Sequence, residues 1–207
     1  MTVADTKTYK GHEIEVKYDE NPESPREWDN VCVFHVAHCN YNFGDENYND
    51  SASIKAAEAE AKRNGDLVLP LYAYEHGGIT ISLGQFSCPW DSGQLGFVQV
   101  PRKKFVEEFG KKNFTPKLKA KALKWAQSET ETLDKYIRGE VFGYVIDDDG
   151  DSCWGYYSIE DAMDEAEGII DWIVKDAKEK HCEQLKIWIK NKVPMENRHT
   201  MKTALEV

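Results

Sequence analysis

Hydrophobic and polar positions alternate from His12 to Tyr18, with Ile14, Val16 and Tyr18 on one side, which predicts a half-buried strand. The polar stretch that follows, Asp19 to Asn30, carries Pro22 and Pro25, which block regular pairing. A second strand is expected around Val31 to Val36. Asn40 to Ser53 is crowded with Asn, Asp and Gly and reads as a loop. The Ala/Glu/Lys run from Ser53 to Arg63 reads as a short helix closed by Asn64-Gly65, and its thin apolar face suits a peripheral position. Leu67 to Tyr74, Ile79 to Ser82 and Gly96 to Val100 are β-branched or aromatic runs between Gly-rich turns. That pattern predicts an antiparallel meander at the centre of a sheet.

Thr115-Pro116 supplies an N-cap followed by proline in the first turn. Leu118, Ala122, Trp125, Ala126, Leu133 and Ile137 then recur at helical spacing until Arg138-Gly139. Two more strands are expected near Val141 to Ile146 and Cys153 to Tyr157, joined by the tight, Asp-rich turn Asp147 to Ser152. A long helix is expected over about 158–192, with Met163, Ala166, Ile170, Ile173, Ala177, Leu185 and Trp188 as its stripe. Its acidic first turns and basic later turns match the helix dipole. Pro194 ends it, and the polar tail 194–207 is expected to be loose or to hold a partner. No repeat or linker divides the chain, so residues 1–207 read as one α+β domain. The order of elements predicts an antiparallel or mixed sheet with helices packed on one side and a long C-terminal helix.

Composition narrows the class. At 207 residues, 41% hydrophobic and 12% aromatic, the chain can bury a core without staples. No apolar run approaches the roughly 18 to 20 residues that span a bilayer, so no membrane partner is expected. The first ten residues lack the pattern of a secretory signal, and Cys32, Cys39, Cys88, Cys153 and Cys182 are odd in number and scattered. A reducing cytoplasm is the expected setting. The net charge of −11 argues against direct nucleic-acid binding. The charge is segmental. Between Gly139 and Val174 stand Glu140, Asp147, Asp148, Asp149, Asp151, Glu160, Asp161, Asp164, Glu165, Glu167 and Asp171, with no Lys or Arg. Between Pro101 and Lys124 the balance reverses, with Arg102 and eight lysines against Glu107 and Glu108. Two solvated faces, complementary within or between molecules, are one reading. The other is an acidic surface that occupies the basic, nucleic-acid-binding groove of another protein.

Four segments set an aromatic residue beside carboxylates and turn residues: Ser24 to Asn30, Asn42 to Glu46, Ser87 to Gln94, and Asp151 to Gly155. Loops on a rigid sheet are where sites are built, although the same residues also make Asx-turns. Across these segments run Asp29-Asn30, His38, Tyr41-Asn42-Phe43-Gly44-Asp45, His76-Gly77-Gly78-Ile79, Phe86 to Phe97 with its Cys88-Pro89-Trp90-Asp91-Ser92-Gly93-Gln94 core, Gly139 to Tyr144, and Asp151 to Tyr156. Over roughly residues 14 to 157 this series resembles a family of small phage and prophage proteins without an assigned activity. Val31-Cys32 and Gly77 depart from the family pattern, where Leu-Gly and a serine are usual. The resemblance implies origin in a phage or mobile element and action in the host bacterial cytoplasm, and it implies no reaction. Accessory phage proteins often inhibit host defence, so a host defence protein is the expected partner, for instance one that binds nucleic acid in a CRISPR or restriction system.

Several kinds of chemistry could be hidden in these segments. A cysteine hydrolase would use Cys88 with His76 or His38 as base and Asp91 as a supporting group, but Cys88-Pro89 reads as a hairpin and not as a helix N-terminus. A metal could draw on His35, His38 and Cys39, with Asp29, Asp45, His76 or Asp91 arriving from elsewhere, yet no paired Cys-x-x-Cys or His-x-x-x-His announces one. Asp147 to Ser152 lacks the glycine and the final acid of an EF-hand. No phosphate-binding glycine loop exists, and no motif implies a cofactor. Tyr72, Tyr74, Phe97 and Trp90 could stack bases. The reading that uses most of the segments is a protein-binding surface built from Trp28, Asp29, Asn30, Asp45, Trp90, Asp91 and Trp154, with the tryptophans as anchors. An enzyme with Cys88, His38, His76, Asp45 and Asp91 in one cleft is the alternative.

Overall fold

The structure, a computed structural model, describes residues 1–110, 115–147 and 150–195. The class is α+β, with mixed and antiparallel pairing and a long C-terminal helix. Where the sequence shows no divide, the chain forms two compact units. One comprises Met1 and Tyr18–Phe142; the other combines Thr2–Lys17 with Gly143–Val207.

The larger unit is built on β3 (Val33–Val36), β4 (Glu46–Asn47), β5 (Leu67–Glu75), β6 (Ile79–Ser82) and β7 (Ser92–Val100), in the order β4-β3-β7-β5-β6. All neighbours are antiparallel except β3 with β4. The expected meander is therefore corrected: β7 does not follow β6 across the sheet but pairs with the far side of β5. The long strands decide this. β5 and β7, nine residues each, match from Leu67↔Val100 to Tyr74↔Ser92, whereas β6 offers only four residues and takes the edge. The register slips between Leu71 and Tyr72, which leaves Leu95 as a bulge in β7. At Gly96 the strands approach so closely that a Cβ would meet the His35 carbonyl oxygen at 2.0 Å. Only glycine satisfies that contact.

The helices of this unit cover both faces of the sheet, not one. On one face Phe34, Val36, Leu71, Val98 and Val100 pack with Phe105 of α2 (Arg102–Phe109) and with Leu118, Ala122, Ala126 and Leu133 of α3 (Pro116–Ile137). On the other, Phe97 and Val68 pack under Ile54, Ala57 and Ala61 of α1 (Ser51–Arg63). Strand alternation sends neighbouring residues such as Phe97 and Val98 to opposite faces, so a second apolar face existed and needed a cover. The thin stripe of α1 is that cover. Asp50 caps α1, accepting from the N–H groups of Ala52 and Ser53 at 2.8 Å each.

The smaller unit joins β1 (Val3–Tyr9), β2 (His12–Tyr18), β8 (Phe142–Ile146) and β9 (Ser152–Tyr156) in the order β1-β2-β8-β9. β1 was not expected. It pairs with β2 through a two-residue turn in which Lys10 and Gly11 both have positive φ, 47° and 89°. The helix α4 (Ile159–Lys192), capped by the Ser158 hydroxyl, buries Ala162, Met163, Ala166 and Ile170 in its first third. Trp154 of β9 lies so close over Gly143 that a Cβ there would fall 2.2 Å from the indole. In the Asp147 to Ser152 turn, Asp148 and Asp149 lie outside the described residues, as does the expected tail beyond Met195. No helix among the described residues is long and apolar enough to cross a membrane.

Candidate functional site

The sequence candidates fall into three places. Asp45 meets Arg26, which no motif singled out, and Trp28, Asp29 and Asn30 follow Arg26 in the chain. A single turn of 3-10 helix, Pro25–Glu27, started by the Ser24 hydroxyl, sets the Arg26 side chain where only 8% stays exposed. Its Nε and Nη2 donate to the two oxygens of Asp45 at 3.2 and 2.9 Å, Nη1 donates to Glu129 at 3.0 Å, and Nη2 also donates to the Cys32 carbonyl at 2.7 Å. The guanidinium lies 4.5 Å from the centre of the Phe34 ring. Asp45 also accepts the Phe34 N–H at 2.6 Å, and Glu129 of α3 accepts those of Val31 and Cys32. Every acceptor of this hub is committed to holding chain together, which withdraws Asp45 from metal binding and from the proposed cleft. Burial, with Glu129 beside it, pushes the Cys32 thiol far above its ordinary range. Asn30 ties its own turn through the carbonyls of Pro25 and Trp28, and its carbonyl accepts Lys104 Nζ at 2.6 Å. Asp29 is fully exposed, 3.8 Å from the same ammonium. Trp28 is 45% exposed.

The second place is the end of the five-stranded sheet where β5 finishes and β7 begins. Here the structure brings together His38, His76, Cys88, Trp90 and Asp91, along with Glu75, which sequence reasoning passed over. The segment before β7 is fastened to the strand end. Glu75 N–H donates to the Asp91 carbonyl at 2.8 Å, and the Ser92 hydroxyl donates to the Cys88 carbonyl. Asp91 Oδ2 receives the Cys88 thiol at 3.7 Å and lies 3.6 Å from His76 Nδ1. Trp90 projects from this fastened segment with 92% of its surface exposed. His38 sits across from it. The Asn40 N–H points at its Nδ1 at 3.1 Å, which leaves Nε2 as the ring's donor to Glu75 Oε1 at 2.6 Å.

Two cavities flank this point. One, of about 410 Å³, lies among Glu75, Trp90, Asp91 and Gly93. The other, of about 680 Å³, lies toward the start of α1, among Tyr48, Asp50, Ile54 and Lys55. Ala37, His38, Gln94 and the bulged Leu95 belong to both walls.

What this arrangement can do chemically is limited. A cysteine hydrolase needs thiol and imidazole within hydrogen-bond reach, but the Cys88 thiol and the His76 ring each meet Asp91 Oδ2 rather than one another, and His38 is engaged by Glu75. Among the described residues no three His, Cys, Asp or Glu side chains are placed to hold a metal ion. Base stacking loses Phe97, which is buried under α1 with the His35 ring stacked on it at 4.2 Å. His35 itself is half of a hydrogen-bonded row, bound by Tyr48 at 3.0 Å and Gln99 at 2.8 Å, so it is not free to ligate.

The third place belongs to the smaller unit. Trp154 packs over Gly143 there. Members of the acidic stretch are answered locally: Glu167 by Lys7, Asp171 by Lys10 at 2.6 Å, and Asp147 by His12 and the Glu13 N–H, while Glu140, in the larger unit, meets Arg138. The Lys10 ammonium holds the Asp171 carboxyl below its usual range. Of the opposing basic stretch, Lys111 and Lys112 lie outside the described residues.

No protein-family model matches the chain, no curated protein matches it in sequence, and no solved structure matches its fold.

Proposed function

We propose that this protein works by binding another protein, and that the end of the five-stranded sheet around Trp90 is the surface it binds with. The observation that carries this reading is the placement of Trp90. A tryptophan with 92% of its surface in water leaves a large apolar area unburied, on a segment held at both ends by hydrogen bonds to β5 and within the turn. Rigid, exposed tryptophans beside a recess are the usual anchors of protein interfaces, because little side-chain entropy is lost when they are covered. Catalysis has less support, since the thiol gives its hydrogen bond to the Asp91 carboxylate and not to an imidazole.

The motif resemblance extends the proposal to the partner. It supports a protein of phage or mobile-element origin acting on a host protein in the bacterial cytoplasm, and specifically an inhibitor of a defence system of the CRISPR or restriction type. The test is to measure binding to purified host defence complexes with the wild-type chain and with Trp90→Ala. We expect Trp90→Ala to weaken binding by about 2 kcal/mol or more, roughly thirtyfold, with an unchanged melting temperature, because the indole contributes nothing to the core. Undiminished binding by Trp90→Ala removes this surface from the interface.

A further inference from the structure

The recess beside Trp90 has a chemistry of its own. Its wall carries two carboxylates, Glu75 and Asp91, and neither lysine nor arginine. Each carboxylate keeps one oxygen without a hydrogen bond among the described residues: Glu75 gives Oε1 to His38, and Asp91 gives Oδ2 to Cys88 and His76. Asp91 adjoins Trp90 in sequence, and Glu75 is joined to it through the Glu75 N–H to Asp91 carbonyl bond. The exposed indole and the two carboxylates therefore border one cavity of about 410 Å³.

Resting on the protein-binding reading above, we propose that this recess receives an arginine side chain of the partner. A guanidinium is the group whose shape answers both features. Its flat face stacks on an indole, the strongest of the aromatic cation acceptors, and its fork of N–H groups matches carboxylate oxygens. Two carboxylates with no lysine or arginine in the wall, each met on one oxygen only by a histidine ring or thiol, favour a cationic side chain over a neutral or acidic one. The cavity exceeds what one side chain fills, so the arginine enters with its flanking residues. The adjoining larger cavity, which shares Ala37, His38, Gln94 and Leu95, continues the path toward Lys55 and Glu58 of α1.

The experiment uses the full chain and a short blocked peptide, Gly-Arg-Gly, against the same peptide with citrulline, which keeps the shape but not the charge. The readout is the indole N–H resonance of Trp90, assigned by its loss in Trp90→Phe. The arginine peptide is expected to shift this resonance saturably and the citrulline peptide to leave it in place. Asp91→Asn and Glu75→Gln are each expected to weaken the arginine response about tenfold, and the double substitution to abolish it, while melting temperatures report that the fold is kept. An equal response to citrulline, no response to arginine, or a response that survives the double substitution overturns the proposal. Partner binding that depends on Trp90 while the arginine peptide gives no shift overturns the arginine site and leaves the protein-binding reading standing. Partner binding indifferent to Trp90 overturns that reading.

Discussion

Arg26 shows how much a single residue can decide. A guanidinium buried among Asp45, Glu129 and the Cys32 carbonyl joins three segments distant in sequence, and each carboxylate in turn holds backbone N–H groups. Removing it leaves two carboxylates partly buried without their cation, which costs more than the pair contributes when intact. Arg26→Ala is expected to destabilise the fold by about 3 kcal/mol in urea unfolding. Arg26→Lys, which keeps the charge but loses the fork, is expected to recover only part of that. A loss within about 0.5 kcal/mol, the range of an ordinary surface substitution, shows that the hub does not stabilise the fold. The sequence offered no sign of this role, because the acids that Arg26 meets lie 19 and 103 positions away. Asp45 looked like a site residue for the same reason: its place in an Asn, Gly and Glu-rich segment is visible along the chain, and its bond to Arg26 is not.

Among the elements, helix caps were the most legible features. Thr115 and Pro116 stand where the sequence placed them, at the start of α3, and the Ser158 hydroxyl caps α4 at the start expected for that helix, since a cap is a local hydrogen bond and needs no distant partner. Asp50 does the same for α1, three residues before the expected start at Ser53, and its environment makes a prediction. The Ser53 hydroxyl first, then the N–H groups of Ser53 and Ala52, hold its carboxyl below the ordinary value. A carboxyl lowered in the folded state adds stability above the unfolded-state value of about 3.9 and loses it as pH falls through the lower folded value. Comparing Asp50→Asn with wild type by urea unfolding between neutral pH and pH 2, we expect a gap that is constant above about pH 5 and closes in acid. A gap independent of pH excludes the ionised cap as its source. Other elements escaped the sequence for stated reasons. β1 is an exposed edge strand without an apolar side, α2 buries Phe105 alone among its described side chains, and β4 is two residues long. Of the stripe expected along the 34-residue α4, Met163, Ala166 and Ile170 are buried, whereas Ala177 and Trp188 are exposed, as are Trp172 and Ile187.

At the scale of the whole molecule the two sheets differ in how far the chain must reach to build them. The five-stranded sheet closes within residues 33–100, through the hairpin of β5 with β6 and the long β5·β7 ladder. The four-stranded sheet sets β2, at residues 12–18, beside β8, at 142–146. Loop closure over that separation has an entropic cost before any contact offsets it. In pulsed hydrogen exchange during refolding, protection in β5 and β7 is therefore expected before protection in β2 and β8. Simultaneous protection indicates that chain separation does not order the assembly. The same topology reshapes the charge argument. The acidic stretch belongs mainly to the smaller unit, where Lys7 and Lys10 of the N-terminal hairpin answer Glu167 and Asp171. The N-terminal segment thus reduces an excess that looked unopposed along the chain.

By itself the sequence determined what depends on near neighbours: the α+β class, most strands and helices, the caps, and the segments where aromatic and acidic residues crowd together. Alternation and 3.6-residue spacing are local signals, and burial on one side of an element is enough to write them. Tertiary structure alone decided that β7 lies between β3 and β5, that helices cover both faces of the larger sheet, and that the motif residues divide among three places. Of those residues, Asp45 became structural, Trp154 packed over a glycine, and Trp90 was left in water beside Glu75 and Asp91. The reason is that a motif fixes which side chains are present, while their availability depends on which distant groups reach them first.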